Sequence, residues 1–334
     1  MIVVTGGAGF IGSNLVAALN ARGIDDIVVC DSLGGGDKWR NIARRELCEI
    51  VAPEALFDYL ARHRTDGGRW GKIEAVFHLG ANSSTDETDA DLILRQNVEF
   101  SLGLWRLCAE HRLRLIYASS AATYGDGGGG FDDEPTPAAL ARLRPLNLYG
   151  WSKHVVDRRV VRWAADPERR PAQWAGLKFF NAYGPNEYHK GPMQSVIAQK
   201  FAAAQADQAV TLYKSYHADY ADGGQMRDFI HVRDCVAVML WLYDSPGVNG
   251  LFNVGTGQAR SFADLVKAMF AALGRPARIN YIDMPEALRA QYQYYTQART
   301  ERLRAAGYHS PFTGLEDGVR DYVQNYLTRA ERHL

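Results

Sequence analysis

Short apolar runs alternate along the first half of this chain with longer segments whose apolar positions recur at helical spacing. Residues 2–5, 27–31, 75–79, 113–118 and 177–180 are brief and almost continuously apolar, the pattern of strands buried on both faces. Between them, 10–22, 90–111 and 149–164 carry the helical period. Strand and helix in strict alternation predict an α/β fold, a doubly wound parallel sheet with helices on both sides. After Asn181 the pattern loosens into loops rich in Gly, Pro and aromatic residues, with helices predicted at 194–206, 234–245 and 262–273. That half reads as a smaller C-terminal α/β domain that binds a substrate. No internal repeat is present, and Gly127 to Gly130 reads as a flexible loop.

The turn between the first strand and first helix is Thr5-Gly6-Gly7-Ala8-Gly9-Phe10-Ile11-Gly12, so Gly6, Gly9 and Gly12 have the spacing GxxGxxG. Glycines there let the backbone turn tightly and approach a pyrophosphate, which the helix N-terminus attracts through its unpaired N–H groups. Asp31 ends the second strand about 20 residues later, where a carboxylate reads a ribose hydroxyl. The combination predicts a Rossmann-type dinucleotide-binding domain over 1–181, rejoined by about 226–256, with 182–334 mainly binding substrate.

Composition narrows the partners. Lys plus Arg equal Asp plus Glu at 38 each, so no net field favours nucleic acid or an anionic membrane. The longest apolar stretches fall well short of the ~20 residues of a membrane span. The chain begins directly in a strand pattern, without a charged leader and apolar segment, which implies a cytoplasmic protein. Cys30, Cys48, Cys108 and Cys235 are far apart and read as free thiols, and no His or Cys spacing suggests a metal ligand set.

Tyr149-Gly150-Trp151-Ser152-Lys153 places a phenol and an ammonium one turn apart on one helix face. At ~4 Å and an effective dielectric of about 20 such charges interact by about 4 kcal/mol, enough to draw a phenol towards neutral pH. Alone, the pair reads more readily as an amphipathic helix with a packed Tyr and a solvated Lys. Ser120, in Ala118-Ser119-Ser120-Ala121-Ala122-Thr123-Tyr124-Gly125, decides between them, because it ends a predicted strand on the side where such sheets bind ligands.

With these motifs the chain resembles the extended short-chain dehydrogenases, a sugar-nucleotide family, over nearly its whole length. The resemblance implies Ser120, Tyr149 and Lys153 as the catalytic set, with Lys153 also bonding the nicotinamide ribose. Ala121 and Ala122 argue against the 4,6-dehydratases, which carry an Asp-Glu pair there. A 4-epimerase would share the triad, whereas a non-catalytic dinucleotide sensor would not need it.

The segment from Lys178 through Phe180-Asn181-Ala182-Tyr183-Gly184-Pro185 to His189-Lys190-Gly191-Pro192-Met193 resembles the ADP-L-glycero-D-manno-heptose 6-epimerases more narrowly. So do His78-Leu79-Gly80-Ala81-Asn82-Ser83-Ser84, Phe252-Asn253-Val254-Gly255-Thr256-Gly257, Tyr292 and Leu303-Arg304-Ala305-Ala306-Gly307-Tyr308. By this resemblance the dinucleotide is held by Gly6, Gly9, Phe10, Ile11, Gly12, Asp31, Ser32, Lys38, Leu79, Gly80, Ala81, Asn82, Ser83, Asn97, Lys153, Ala182 and Lys190. An ADP-linked heptose would meet Ser120, Asn181, Pro192, Gln199, Tyr213, Lys214, Ser215, Tyr216, Arg227 and Tyr292, and Arg227 suits its pyrophosphate. Leu79, Pro192 and Ala182 stand where that family carries Glu, Ser and Val, and the stretch 213–227 is longer than the family's loop.

A 6-epimerase oxidises the exocyclic C6 alcohol, rotates the resulting carbonyl and reduces its other face, so the oxygen moves. One fixed base does not serve both positions. The resemblance puts Lys190 opposite Tyr149 as the second acid/base, and His189 reads as structural. Asp31 favours NAD by its charge, but the family mostly uses NADP, and Lys38 is placed to neutralise a 2′-phosphate. NADP is therefore expected, with NAD as the alternative. The resemblance further implies supply of lipopolysaccharide core heptose and a homo-oligomer, a pentamer in that family.

Overall fold

The computed structural model describes residues 1–65, 73–289 and 292–334. Seven strands form the central sheet: β1 (Ile2–Thr5), β2 (Ile27–Cys30), β3 (Glu49–Val51), β4 (Ala75–His78), β5 (Arg114–Ser120), β6 (Gln173–Phe179) and, after three intervening strands, a last one at Gly250–Val254. β1, β2, β4 and the last strand are buried at every position, as a parallel sheet covered on both faces requires. The order runs β3-β2-β1-β4-β5-β6 and then Gly250–Val254, with every pair parallel. The direction of winding reverses between β1 and β4, the point at which doubly wound sheets open a ligand crevice beyond their carboxyl ends.

Two apolar clusters fill the two faces of this sheet. One gathers Val3, Val76, Leu104, Trp105 and Val160, the other Ile2, Val4, Leu15, Phe77 and Met239. The second includes the helix Val232–Asp244, which packs on Phe10–Ala21 and so ties the later chain back to the dinucleotide-binding half.

A third cluster, around Phe201, Val266, Phe270, Val319 and Tyr322, forms the core of the cap. Its strands are β7 (Asn181–Tyr183), β8 (Val210–Tyr213) and β9 (Met226–His231); in chain order β10 is the sheet strand Gly250–Val254, followed by β11 (Ala259–Ser261) and β12 (Ile279–Ile282). β9 lies between β7 and β11, while β12 pairs with β8. The two sheets meet at Phe180, one residue that separates β6 from β7. The chain thus passes directly from the central sheet into the wall of the cap.

The helix expected over 90–111 is interrupted. Ala90–Ile93 and Phe100–Glu110 are α-helical, but Leu94–Glu99 is a π turn, whose extra residue turns Asn97 wholly inward. Among the described residues no helix is long and apolar enough to cross a membrane.

Candidate active site

At the carboxyl end of β1 the chain turns through Gly6 into the helix Phe10–Ala21. That helix has no side-chain cap at Gly9, so its first N–H groups are open to an anion. A Cβ on Gly12 would lie 2.1 Å from the Gly6 carbonyl oxygen, which only glycine permits at this closeness. Asp31 follows β2; its Oδ2 accepts the Ala8 N–H at 2.9 Å and its Oδ1 accepts Lys38 Nζ at 2.5 Å. Lys38 also donates to the Ser32 carbonyl at 3.0 Å. Open N–H groups, a close-packed glycine turn and a polar strand end together fit the pyrophosphate and ribose of a dinucleotide.

A cavity of about 750 Å³ runs from this turn to Ser120, Tyr149, Lys153, Lys190, Arg227 and Tyr292. Tyr149 and Lys153 stand on the helix Leu148–Ala164, whose first turn is capped by Asn147 accepting the Gly150 N–H at 2.8 Å. A Cβ on Gly150 would fall 2.7 Å from the Ala122 carbonyl oxygen, so glycine lets this helix lie against the turn that follows Ser120. That contact brings the Ser120 hydroxyl into hydrogen bond with Tyr149.

Burial raises the Tyr149 phenol above its ordinary value, and the Ser120 bond draws it back. The expectation that Lys153 would pull this phenol towards neutrality is not met. The same burial that disfavours a phenolate also disfavours an ammonium, and it pushes Lys153 down to about 8, with Asp157 opposing.

Lys190 belongs to the single-turn segment Tyr188–Met193, with Nζ 5.1 Å from the centre of the Phe10 ring. Burial lowers its ammonium and Glu187 opposes the shift. Glu187 is itself fully buried, fixing the segment by accepting Ser195 N–H at 2.5 Å and Ser195 Oγ–H at 2.7 Å. Arg227, on β9, is 9% exposed, its guanidinium 5.5 Å from the ring centres of both Phe262 and Tyr292. It offers a cation with aromatic walls, a setting for a nucleotide diphosphate.

Residues 2–255 match the NAD dependent epimerase/dehydratase family. The chain belongs to that family. Along its full length it is 51% identical to the ADP-L-glycero-D-manno-heptose-6-epimerase of Nitratidesulfovibrio vulgaris, with all of both chains covered. The crystal structure of the Helicobacter pylori ADP-L-glycero-D-manno-heptose-6-epimerase superposes with a TM-score of 0.77 at 27% identity, covering 97% of this chain and 95% of that one. The Thermus thermophilus UDP-glucose 4-epimerase, in complex with NAD, gives 0.74 at 25% identity over 96% and 97% of the two chains. The chain is an epimerase that uses a nicotinamide cofactor and a nucleotide-linked sugar.

In this epimerase the cavity wall gathers Gly6, Gly9, Phe10, Ile11, Gly12, Asp31, Lys38, Leu79, Gly80, Ala81, Ser83 and Ala182 on the dinucleotide side. Asn181, Pro192, Arg227 and Tyr292 line it on the cap side. Gln199 and Tyr213 line an adjoining cavity of about 200 Å³ that shares Val196, Phe262 and Tyr292 with the first. Gln199 also donates to the Pro192 carbonyl at 2.9 Å, bracing the loop after Lys190.

Six expected contacts are placed differently. Lys214, Ser215 and Tyr216 are not on either wall: Lys214 pairs with Asp283 at 3.1 Å, Tyr216 bonds the same carboxylate, and Ser215 N–H bonds Asp222 within the loop. Ser32 is exposed beside Lys38. Asn97 is wholly buried, its amide accepting the Asn82 N–H at 2.8 Å and donating to the Asn82 carbonyl and to Ser152 Oγ. It therefore ties the loop after β4 to the helix Leu148–Ala164, and Asn82 spends its backbone groups on that tie. His189 lies on the cavity wall against Asn41, and burial lowers it to about 4.

Sequence reasoning missed Thr5, Phe262 and Asp157. Thr5 Oγ1 bonds His78 Nδ1 at 2.7 Å and the Gly80 N–H at 3.1 Å, locking the two strand ends beside the crevice. Asp157 was accessible in principle, being one turn beyond Lys153 on the same helix face.

Proposed function

We propose that this chain interconverts ADP-D-glycero-D-manno-heptose and ADP-L-glycero-D-manno-heptose by oxidation and re-reduction at C6, supplying heptose for lipopolysaccharide core. The single observation that carries the reading is that two acid/base side chains from different elements, Tyr149 and Lys190, line one cavity with a dinucleotide cradle and Arg227. The 51% identity to a named 6-epimerase supports the sugar. NADP is the proposed dinucleotide, supported by the Lys38 ammonium at Asp31. The reading extends to a cytoplasmic homo-oligomer, a pentamer by resemblance, and to a dinucleotide-binding domain over 1–181 with return near 226–256, the remainder to 334 mainly binding substrate.

When bound, the nicotinamide supplies reversible acceptance of a hydride. Everything else falls to the chain. Ser120 donates to or accepts from the reacting oxygen, Tyr149 holds or takes its proton, and Lys153 provides positive charge beside the phenol. Arg227 and Tyr292 anchor the diphosphate end while the C6 group turns. Lys190 gives a proton to the oxygen at its second position as the carbonyl is reduced, and takes it back in the reverse direction; its lowered ammonium, with Glu187 near it, suits this exchange.

The test is a pair of substitutions. Tyr149→Phe should lower kcat by roughly 10²-fold or more with dinucleotide still bound. Lys190→Ala should abolish exchange between the C6 isomers while leaving redox with an aldehyde analogue at the position Tyr149 serves. A Lys190→Ala enzyme with unchanged kcat at saturating substrate would remove the second base from this reading.

A further inference from the structure

The helix Leu148–Ala164 repeats its functional spacing once more than the reaction uses. Tyr149 and Lys153 line the cavity, and Asp157, another turn on, lies beneath them with no exposure at all. Its Oδ1 accepts Tyr117 O–H at 2.9 Å, and its Oδ2 accepts Ser119 O–H at 2.7 Å and Lys178 Nζ at 3.0 Å. Lys178, on β6, is equally without exposure. It also donates to Thr123 Oγ1 at 2.6 Å and stands 4.7 Å from the centre of the Tyr124 ring. Thr123 Oγ1 in turn donates to the Ser120 carbonyl at 2.8 Å.

A charge pair removed this far from water adds little net stability over a well-packed apolar pair, because desolvation offsets the attraction. Its geometry has another consequence. The two elements that carry Ser120, Tyr149 and Lys153, the end of β5 and the helix Leu148–Ala164, are bonded to it, and so is the turn 121–124 between them. β6 leads from Lys178 within three residues to Asn181 on the substrate wall.

We propose that the Asp157–Lys178 pair is a positioning device for the catalytic set, holding the Ser120 hydroxyl against Tyr149 through Thr123 on one side and the helix through Asp157 on the other. Neither residue touches a reacting atom; both act through Ser120 and Tyr149. The inference rests on the proposed roles of those two residues, but not on the identity of the sugar.

The test uses purified holoenzyme with both charges replaced together, Asp157→Leu with Lys178→Met, so that no lone charge is left buried. The double variant should stay folded by thermal melt, with kcat roughly tenfold lower or more and KM within about twofold. Lys178→Arg, which keeps the pair, should retain most of kcat. Titration of Tyr149 needs no sugar: read as the ultraviolet difference between chains with and without Tyr149→Phe, it should move to higher pH in the double variant, because the Ser120 bond that lowers it is loosened. A folded double variant with wild-type kcat and an unmoved Tyr149 titration overturns the proposal. If that variant does not fold, Thr123→Val decides, since it cuts only the link from Lys178 to Ser120; a fall in kcat at unchanged KM supports the device and an unchanged kcat overturns it. A wild-type enzyme inactive on ADP-heptose speaks against the substrate alone, because the titration still reads the pair.

Discussion

Lys38 holds its ammonium 2.5 Å from Asp31 Oδ1 at the carboxyl end of β2, while Asp31 Oδ2 accepts the Ala8 N–H. Both carboxylate oxygens are thereby occupied at the place proposed to meet the adenosine ribose. A free carboxylate repels a 2′-phosphate; one paired with an ammonium on its ligand side repels it far less.

Lys38→Ala should therefore lower affinity for NADP by about tenfold or more while leaving affinity for NAD within a few-fold, since only the phosphate loses a cation. Titration of the apo chain with each dinucleotide measures the ratio. Equal losses for both would mean that Lys38 braces Asp31 without selecting the cofactor.

The buried Lys153 should set the alkaline limit of activity. Burial places its folded value at about 8, below its ordinary value of 10.5. Its charge beside Tyr149 is therefore lost as pH rises through about 8, and kcat should fall there. Stability moves the other way: between about 8 and 10.5 the unfolded chain binds the Lys153 proton and the folded chain does not, so this residue's contribution to stability rises with pH. The expected result is an alkaline limb in kcat that Lys153→Arg moves to higher pH. A limb that coincides with thermal unfolding, or that Lys153→Arg leaves in place, contradicts the assignment.

Asn97 offers a test of the π turn. Asn97→Ala removes the partners of the Asn82 N–H and carbonyl and of Ser152 Oγ in one step. Leaving buried polar groups unpaired costs about 1–3 kcal/mol each, so the melting temperature should drop by several degrees and dinucleotide affinity should fall with the loosened loop after β4. Unchanged stability would show that the turn holds its shape without the amide.

The frame of this enzyme was legible because burial on both faces leaves its signature residue by residue: β1, β2 and β4 are nearly continuous apolar runs, and the Gly6 to Gly12 spacing gains its meaning by following the first of them. The helix Leu148–Ala164 was legible for a similar reason, since Tyr149 and Lys153 sit one turn apart and line one cavity. Asn97 was not, because a single π turn disturbs the periodicity of 90–111 by one residue and leaves the apolar pattern on both sides intact. Lys214, Ser215 and Tyr216 were placed by resemblance, and the pairing of β8 with β12 brings Asp283 to them instead, a partner some 70 residues away. Asp157 and Lys178 are coupled only through the fold, so neither announces the other along the chain. The charge of Lys153 and the ionisation of Tyr149 depend on how much water the fold removes, a quantity that spacing does not contain.

In the proposed reaction the chain inverts C6 of an ADP-linked heptose without exchanging its hydrogen with solvent. Incubating the holoenzyme with ADP-D-glycero-D-manno-heptose in deuterium oxide, and following C6 by proton magnetic resonance, tests it directly. The L-glycero isomer should appear until equilibrium is reached, with protium retained at C6 because the hydrogen leaves and returns as hydride. Inversion at C4 with C6 untouched, or deuterium at C6 of the product, would contradict it.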